Sequence, residues 1–74
     1  MTQYNGHKNW NYWNVALWIG NDQELYKLAR GCKREFKSKA AKAFVYLMRG
    51  SGVEKTPDGA RYSIAAVDAA IKNL

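Results

Sequence analysis

Between Leu25 and Phe36 the apolar residues return every three or four positions: Leu25, Leu28, Ala29, Cys32 and Phe36. At about 100° per residue they share one side of a helix, and Lys27, Arg30, Lys33, Arg34 and Lys37 fall on the other. With 74 residues, the chain is near the size at which a single core barely outweighs chain entropy, so so strong a stripe has to be built into the fold. Asn21 is a candidate N-cap, and Glu24 can return the bond in a box-like arrangement. The reading is a helix over roughly 22–36.

Ser38 can cap a further helix over about 39–49, ending at Gly50. Its apolar side is Ala40, Ala41, Phe44, Leu47 and Met48; Lys39, Lys42, Tyr46 and Arg49 make the polar side. The link between the two helices is so short that they form a tight corner or hairpin. After Gly50-Ser51-Gly52 comes Thr56-Pro57-Asp58-Gly59, a strong turn signal. Residues 53–55 and 60–62 flank it either as a small β-hairpin or as extended loop. Ser63 then caps a last helix with Ile64, Val67, Ala70, Ile71 and Leu74 on one face.

The N-terminal part reads less simply. In Asn9-Trp10-Asn11-Tyr12-Trp13-Asn14, asparagines alternate with large aromatics. From Trp10 to Ile19 the residues Trp13, Val15, Leu17 and Ile19 alternate as in a strand, whereas Trp10, Trp13 and Leu17 share one helical face. Asn9 or Asn11 as cap and Gly20-Asn21 as terminator favour a short helix. A base-stacking platform needs exposed aromatics beside positive charge. Here the nearest cation is Lys8, and the basic cluster starts only at Lys27. The aromatics are therefore read as core anchors, with Tyr12 left outward, opposite the Trp13 and Leu17 face. The chain has three Trp, five Tyr and two Phe, and most of them precede Lys27, so the N-terminal third is expected to supply much of the core. Residues 1–8, with the Asn5-Gly6 turn signal, read as a loosely ordered arm.

The net charge of +6 belongs to the middle of the chain. Residues 26–55 carry nine Lys or Arg against Glu35 and Glu54, while the flanking segments nearly balance. A local positive field of this kind attracts phosphates or an acidic protein surface. An ordinary solvated face mixes its signs, whereas the stripe from Lys27 to Lys37 holds a single acid, Glu35. Lys27, Arg30, Lys33, Arg34 and Lys37 are the candidate partner-binding residues, with Lys39, Lys42 and Arg49 second. The bland alternative is a face that serves solubility.

Catalytic and cofactor chemistry finds no support in the residue pattern. One histidine, His7, with scattered carboxylates does not make a metal site. The one cysteine, Cys32, excludes an internal disulfide, and its place on the apolar stripe makes it a buried, inert thiol. No serine has a histidine partner at a recognisable spacing, and Gly50-Ser51-Gly52 is too short to cradle a nucleotide. The expectation is a non-enzyme with no cofactor and no metal. Met1 to Trp10 is polar and no apolar run approaches the ~20 residues that span a bilayer, which points to a soluble cytoplasmic protein.

The run from Asn9 to Asp22, followed by Glu24-Leu25-Tyr26, resembles small proteins of phages and other mobile elements. Those carry a block like N-W-x-x-W-N-V-x-L-W-I-x-N-D-x-x-L-Y; Thr56-Pro57-Asp58-Gly59-Ala60-Arg61-Tyr62 is similar to their second block. The resemblance carries no activity onto individual residues. It implies a setting, in which small accessory proteins bind a host machine, CRISPR and restriction systems included, and block it. The sequence thus leads to a mostly α single domain over 1–74: a compact bundle of three to four short helices, with room for a small β-hairpin near Pro57. The expected function is stoichiometric inhibition of a host defence complex through the basic helical face. The expected partner is a host protein or ribonucleoprotein with an acidic or phosphate-rich surface. The alternative is a DNA-binding module built on the 22–36/39–49 helix pair.

Overall fold

Four α-helices packed into one bundle make up the computed structural model, which describes residues 8–74. They are α1 (Trp10–Asn21), α2 (Gln23–Phe36), α3 (Ala40–Gly50) and α4 (Ile64–Lys72), with a 3-10 turn, Lys37–Lys39, between α2 and α3. The mostly α bundle expected from the sequence is the observed fold. The arm expected over 1–8 lies outside the described residues except for Lys8, as do His7 and the Asn5-Gly6 turn.

Caps set the helix ends, and two of them differ from expectation. Asn9 caps α1, its side chain accepting from the Tyr12 N–H. Residues 10–19 are therefore helix rather than strand, and the helix runs on through Gly20 to Asn21. Asp22, not Asn21, caps α2 by accepting from the Leu25 N–H. Its carboxylate is also a better partner for the positive end of the helix dipole. Ser38 does not cap α3: it lies inside the 3-10 turn, and the Lys39 side chain makes no cap bond. Ser63 caps α4 as expected, accepting from the Ala66 N–H.

The core is built mainly from α3 and α4. Ala40, Ala41, Phe44, Val45 and Met48 are buried on α3, and Ala66, Val67, Ala70 and Ile71 on α4. Ala29 and Cys32 join them from α2 and Tyr62 from the loop. Tyr62 meets Phe44 edge to face, the ring centroids 5.9 Å apart.

The aromatic N-terminus anchors less of this core than its composition suggests. The inward stripe of α1 is Tyr12, Val15, Ala16 and Ile19, whereas Trp10 and Leu17 are exposed. Tyr12, expected outward, packs against the core with the Lys8 ammonium 5.7 Å from its ring. Since α1 is apolar nearly all round, its periodicity fits two stripes, and only its neighbours choose between them. Three further residues expected inside, Phe36, Leu47 and Ile64, are exposed.

The segment 53–62 folds back on itself but forms no strand among the described residues. It has one antiparallel bridge, Lys55 with Arg61, closed by the Thr56 N–H to Ala60 carbonyl and Tyr62 N–H to Glu54 carbonyl bonds. Gly59 turns the chain at φ 95° and donates its N–H to the Thr56 carbonyl at 2.9 Å, so 56–59 is a hydrogen-bonded β-turn with Pro57 at its second position. The small hairpin is thus cut to a single bridge. The Thr56 hydroxyl, the Asp58 carboxylate and the Arg61 backbone bond to α1.

Candidate interaction surface

Asn11, Asn14 and Trp18 follow one another at helical spacing on α1, and all three hold the 56–61 turn. Asn11 donates its amide to the Arg61 carbonyl at 2.9 Å and accepts the Arg61 N–H at 2.8 Å. Asn14 is fully buried. Its amide nitrogen donates to the Asp58 carboxylate at 2.9 Å, and its oxygen accepts the Thr56 hydroxyl at 2.6 Å. The Thr56 hydroxyl oxygen in turn accepts the Ala60 N–H at 3.0 Å. The Trp18 indole N–H donates to the same Asp58 oxygen at 2.9 Å. The Asn14 amide, then the Trp18 indole, hold the Asp58 carboxyl below the ordinary aspartate range. The asparagine–aromatic run is thus a capping and docking strip, and the two sequence blocks form one unit. No buried side-chain polar atom among the described residues lacks a partner.

With that strip assigned to folding, two surface features remain. The first is the solvent face of α2. Lys27, Arg30, Lys33, Arg34 and Lys37 are exposed, and so are Lys39, Lys42 and Arg49. Among the described residues none of the eight is ion-paired; the one pair found is Lys72 with Asp68. Lys27, Arg30 and Arg34 surround a shallow hollow with Tyr26 and Gly31. Arg30 donates to the Tyr26 hydroxyl at 3.1 Å and lies 5.7 Å from its ring centroid, so its guanidinium is oriented by the tyrosine. Lys33 turns toward the chain end, donating to the Leu74 carbonyl at 2.8 Å. Lys37 lies at the α2 C-terminus with φ 48°.

The second feature separates the secondary candidates from the first group. Lys39, Lys42 and Arg49 do not extend the α2 hollow. They rim an apolar hollow of about 630 Å³ along the outer side of α3, lined by Phe36, Ala43, Val45, Tyr46, Leu47 and Ile64. By periodicity Phe36, Leu47 and Ile64 belong to the core faces of their helices. Their signal was present in a different form: α3 has apolar residues at 40, 41, 43, 44, 45, 47 and 48, a wider arc than one core face uses.

A family model matches residues 1–74 in full, and the chain belongs to that family, DUF7249, a family of unknown function. No curated protein and no solved structure matches it.

Proposed function

We propose that this protein is a small accessory protein of a phage or mobile element that acts by stoichiometric binding, inhibiting a host defence complex of the CRISPR or restriction kind. The observation that carries the binding reading is the α2 face, where Lys27, Arg30 and Arg34 gather around Tyr26 with no acidic partner among the described residues. Unpaired cations spaced on a rigid helix keep their full field for an incoming surface, and such fields steer association. The defence setting comes from the sequence resemblance. No helix of the described chain is long and apolar enough to cross a membrane.

The test uses Arg30→Glu and Arg34→Glu together, which lowers the net charge by four. Both positions are exposed, so stability should change by no more than about 1 kcal/mol. The wild-type protein, expressed in a host with an active CRISPR or restriction system, should raise phage plating. The double variant should keep its helical circular dichroism, lose that protection and bind its target about a hundredfold more weakly. A folded double variant that protects as well as wild type would reduce this face to a solvated one. Binding that disappears with nuclease, and falls with salt at a log–log slope of about −0.9 per phosphate, would instead favour the DNA-binding reading.

A further inference from the structure

Of the seven large hydrophobic residues exposed among the described residues, Phe36, Tyr46, Leu47 and Ile64 line the single hollow on the outer side of α3. Tyr46 is the extreme case at 78% exposure. Isolated exposed hydrophobics are ordinary, but four converging on one concavity mark a surface that another molecule covers. Residues from three elements build it: Phe36 from the end of α2, Ile64 from the first turn of α4, and the rest from the α3 region. Its charged lining is of one sign, Lys39, Lys42 and Arg49.

We propose that this hollow is a docking groove for an acidic amphipathic segment of a partner protein, with apolar anchors seated against Phe36, Tyr46, Leu47 and Ile64 and flanking carboxylates on Lys39, Lys42 and Arg49. An apolar floor with a polar rim is the usual anatomy of such an interface, and a helix laid in a groove reads as anchors at i, i+3 or i+4, and i+7. Charge selects the occupant. A second copy of this chain would bring three more cations against the same rim, and like charges facing each other are repulsive. Nucleic acid would match the rim and find two stacking planes, Phe36 and Tyr46. But four of the six apolar lining residues, Ala43, Val45, Leu47 and Ile64, are aliphatic, a surface that suits the side chains of an amphipathic helix better than bases. The groove deepens the binding reading by naming the chemistry of a partner, yet it shares no residue with the α2 hollow.

The probe is a displayed library of random peptides of about 16 residues, long enough for an i, i+4, i+7 anchor set, selected against the folded protein. Selected peptides should pair apolar anchors at that spacing with Asp or Glu. Titrated into the labelled protein, they should shift the amide resonances of Tyr46, Leu47 and Ile64. Tyr46→Ala should weaken them about tenfold, as should Lys42→Glu, with the fold intact because both side chains are exposed. Arg30→Glu with Arg34→Glu should leave them within about threefold at about 0.15 M salt, where charges beyond ~8 Å are screened. Failure of that last pair to inhibit phage defence bears on the α2 reading; it does not touch the groove. The proposal is overturned if no peptides are enriched, if the enriched ones lack acidic residues or map elsewhere, if a short single-stranded DNA gives the same resonance shifts, or if the protein dimerises through Tyr46 in sedimentation.

Discussion

Asn14 is the residue on which the loop depends. It is buried, and its amide satisfies both the Thr56 hydroxyl and the Asp58 carboxylate. Asn14→Ala leaves the buried Thr56 hydroxyl proton with no acceptor, which adds desolvation cost to the lost bonds. Urea denaturation should show a loss of about 2–3 kcal/mol; a change under about 0.5 kcal/mol would mean the turn is held without it. Asp58 adds a pH dependence. Its folded pKa is depressed by the Asn14 and Trp18 donors, so its contribution is present above the unfolded value of about 3.9 and is lost as pH falls through the lower folded value. Asp58→Asn should therefore flatten the acid limb of the stability curve and leave its slope near neutrality unchanged. An acid limb identical to wild type would disprove the linkage.

At the scale of elements, the α2–α3 junction holds the local strain. Lys37 is the one non-glycine with positive φ among the described residues, at φ 48°. Its ψ of −113° places it near the first central position of a type II′ turn, a glycine position. Lys37→Gly removes the Cβ clash but loosens the unfolded chain, and relief should prevail by about 0.5–1 kcal/mol. A rise in the thermal midpoint with no change in helical content checks this; a fall would show that the Lys37 backbone is unstrained. The same junction explains the misplacement of Phe36. The stripe of α2 predicts that it points inward, but α2 ends there and the chain leaves it through the 3-10 turn into α3. Phe36 is left half exposed, at 50%, as a wall of the α3 groove.

For the whole molecule, the Cα radius of gyration of 11.3 Å is close to the roughly 11 Å expected of a tightly packed chain of this length. Cys32 reports on how that packing opens. It is 3% exposed, and burial pushes its thiol pKa up, so a native thiol is both shielded and protonated. Labelling should be slow in the native protein, fast in denaturant, and faster in Asn14→Ala by the factor that its lost stability dictates. Labelling at equal rates in native and denatured protein would contradict the buried assignment. Labelling that ignores the Asn14 substitution would place Cys32 in a local opening instead of the global one.

The four helices, their approximate ends and the basic face of α2 were all legible in the sequence, because each rests on interactions within one turn of the chain. An Asn or Ser at a cap, a glycine at a turn and cations opposite an apolar stripe are local facts. The stripe that α1 buries was not legible. Its residues are apolar on most sides, and Tyr12, Val15, Ala16 and Ile19 became the inward set only when Asn11, Asn14 and Trp18 had to face the 56–61 turn, with partners 40 to 50 residues away. The groove on α3 was hidden for a related reason. Periodicity says that a face is apolar; what covers it depends on how many neighbours arrive. α3 packs against α2 and α4, and its extra apolar arc, with Phe36 and Ile64 beside it, is left exposed because no further element among the described residues packs there.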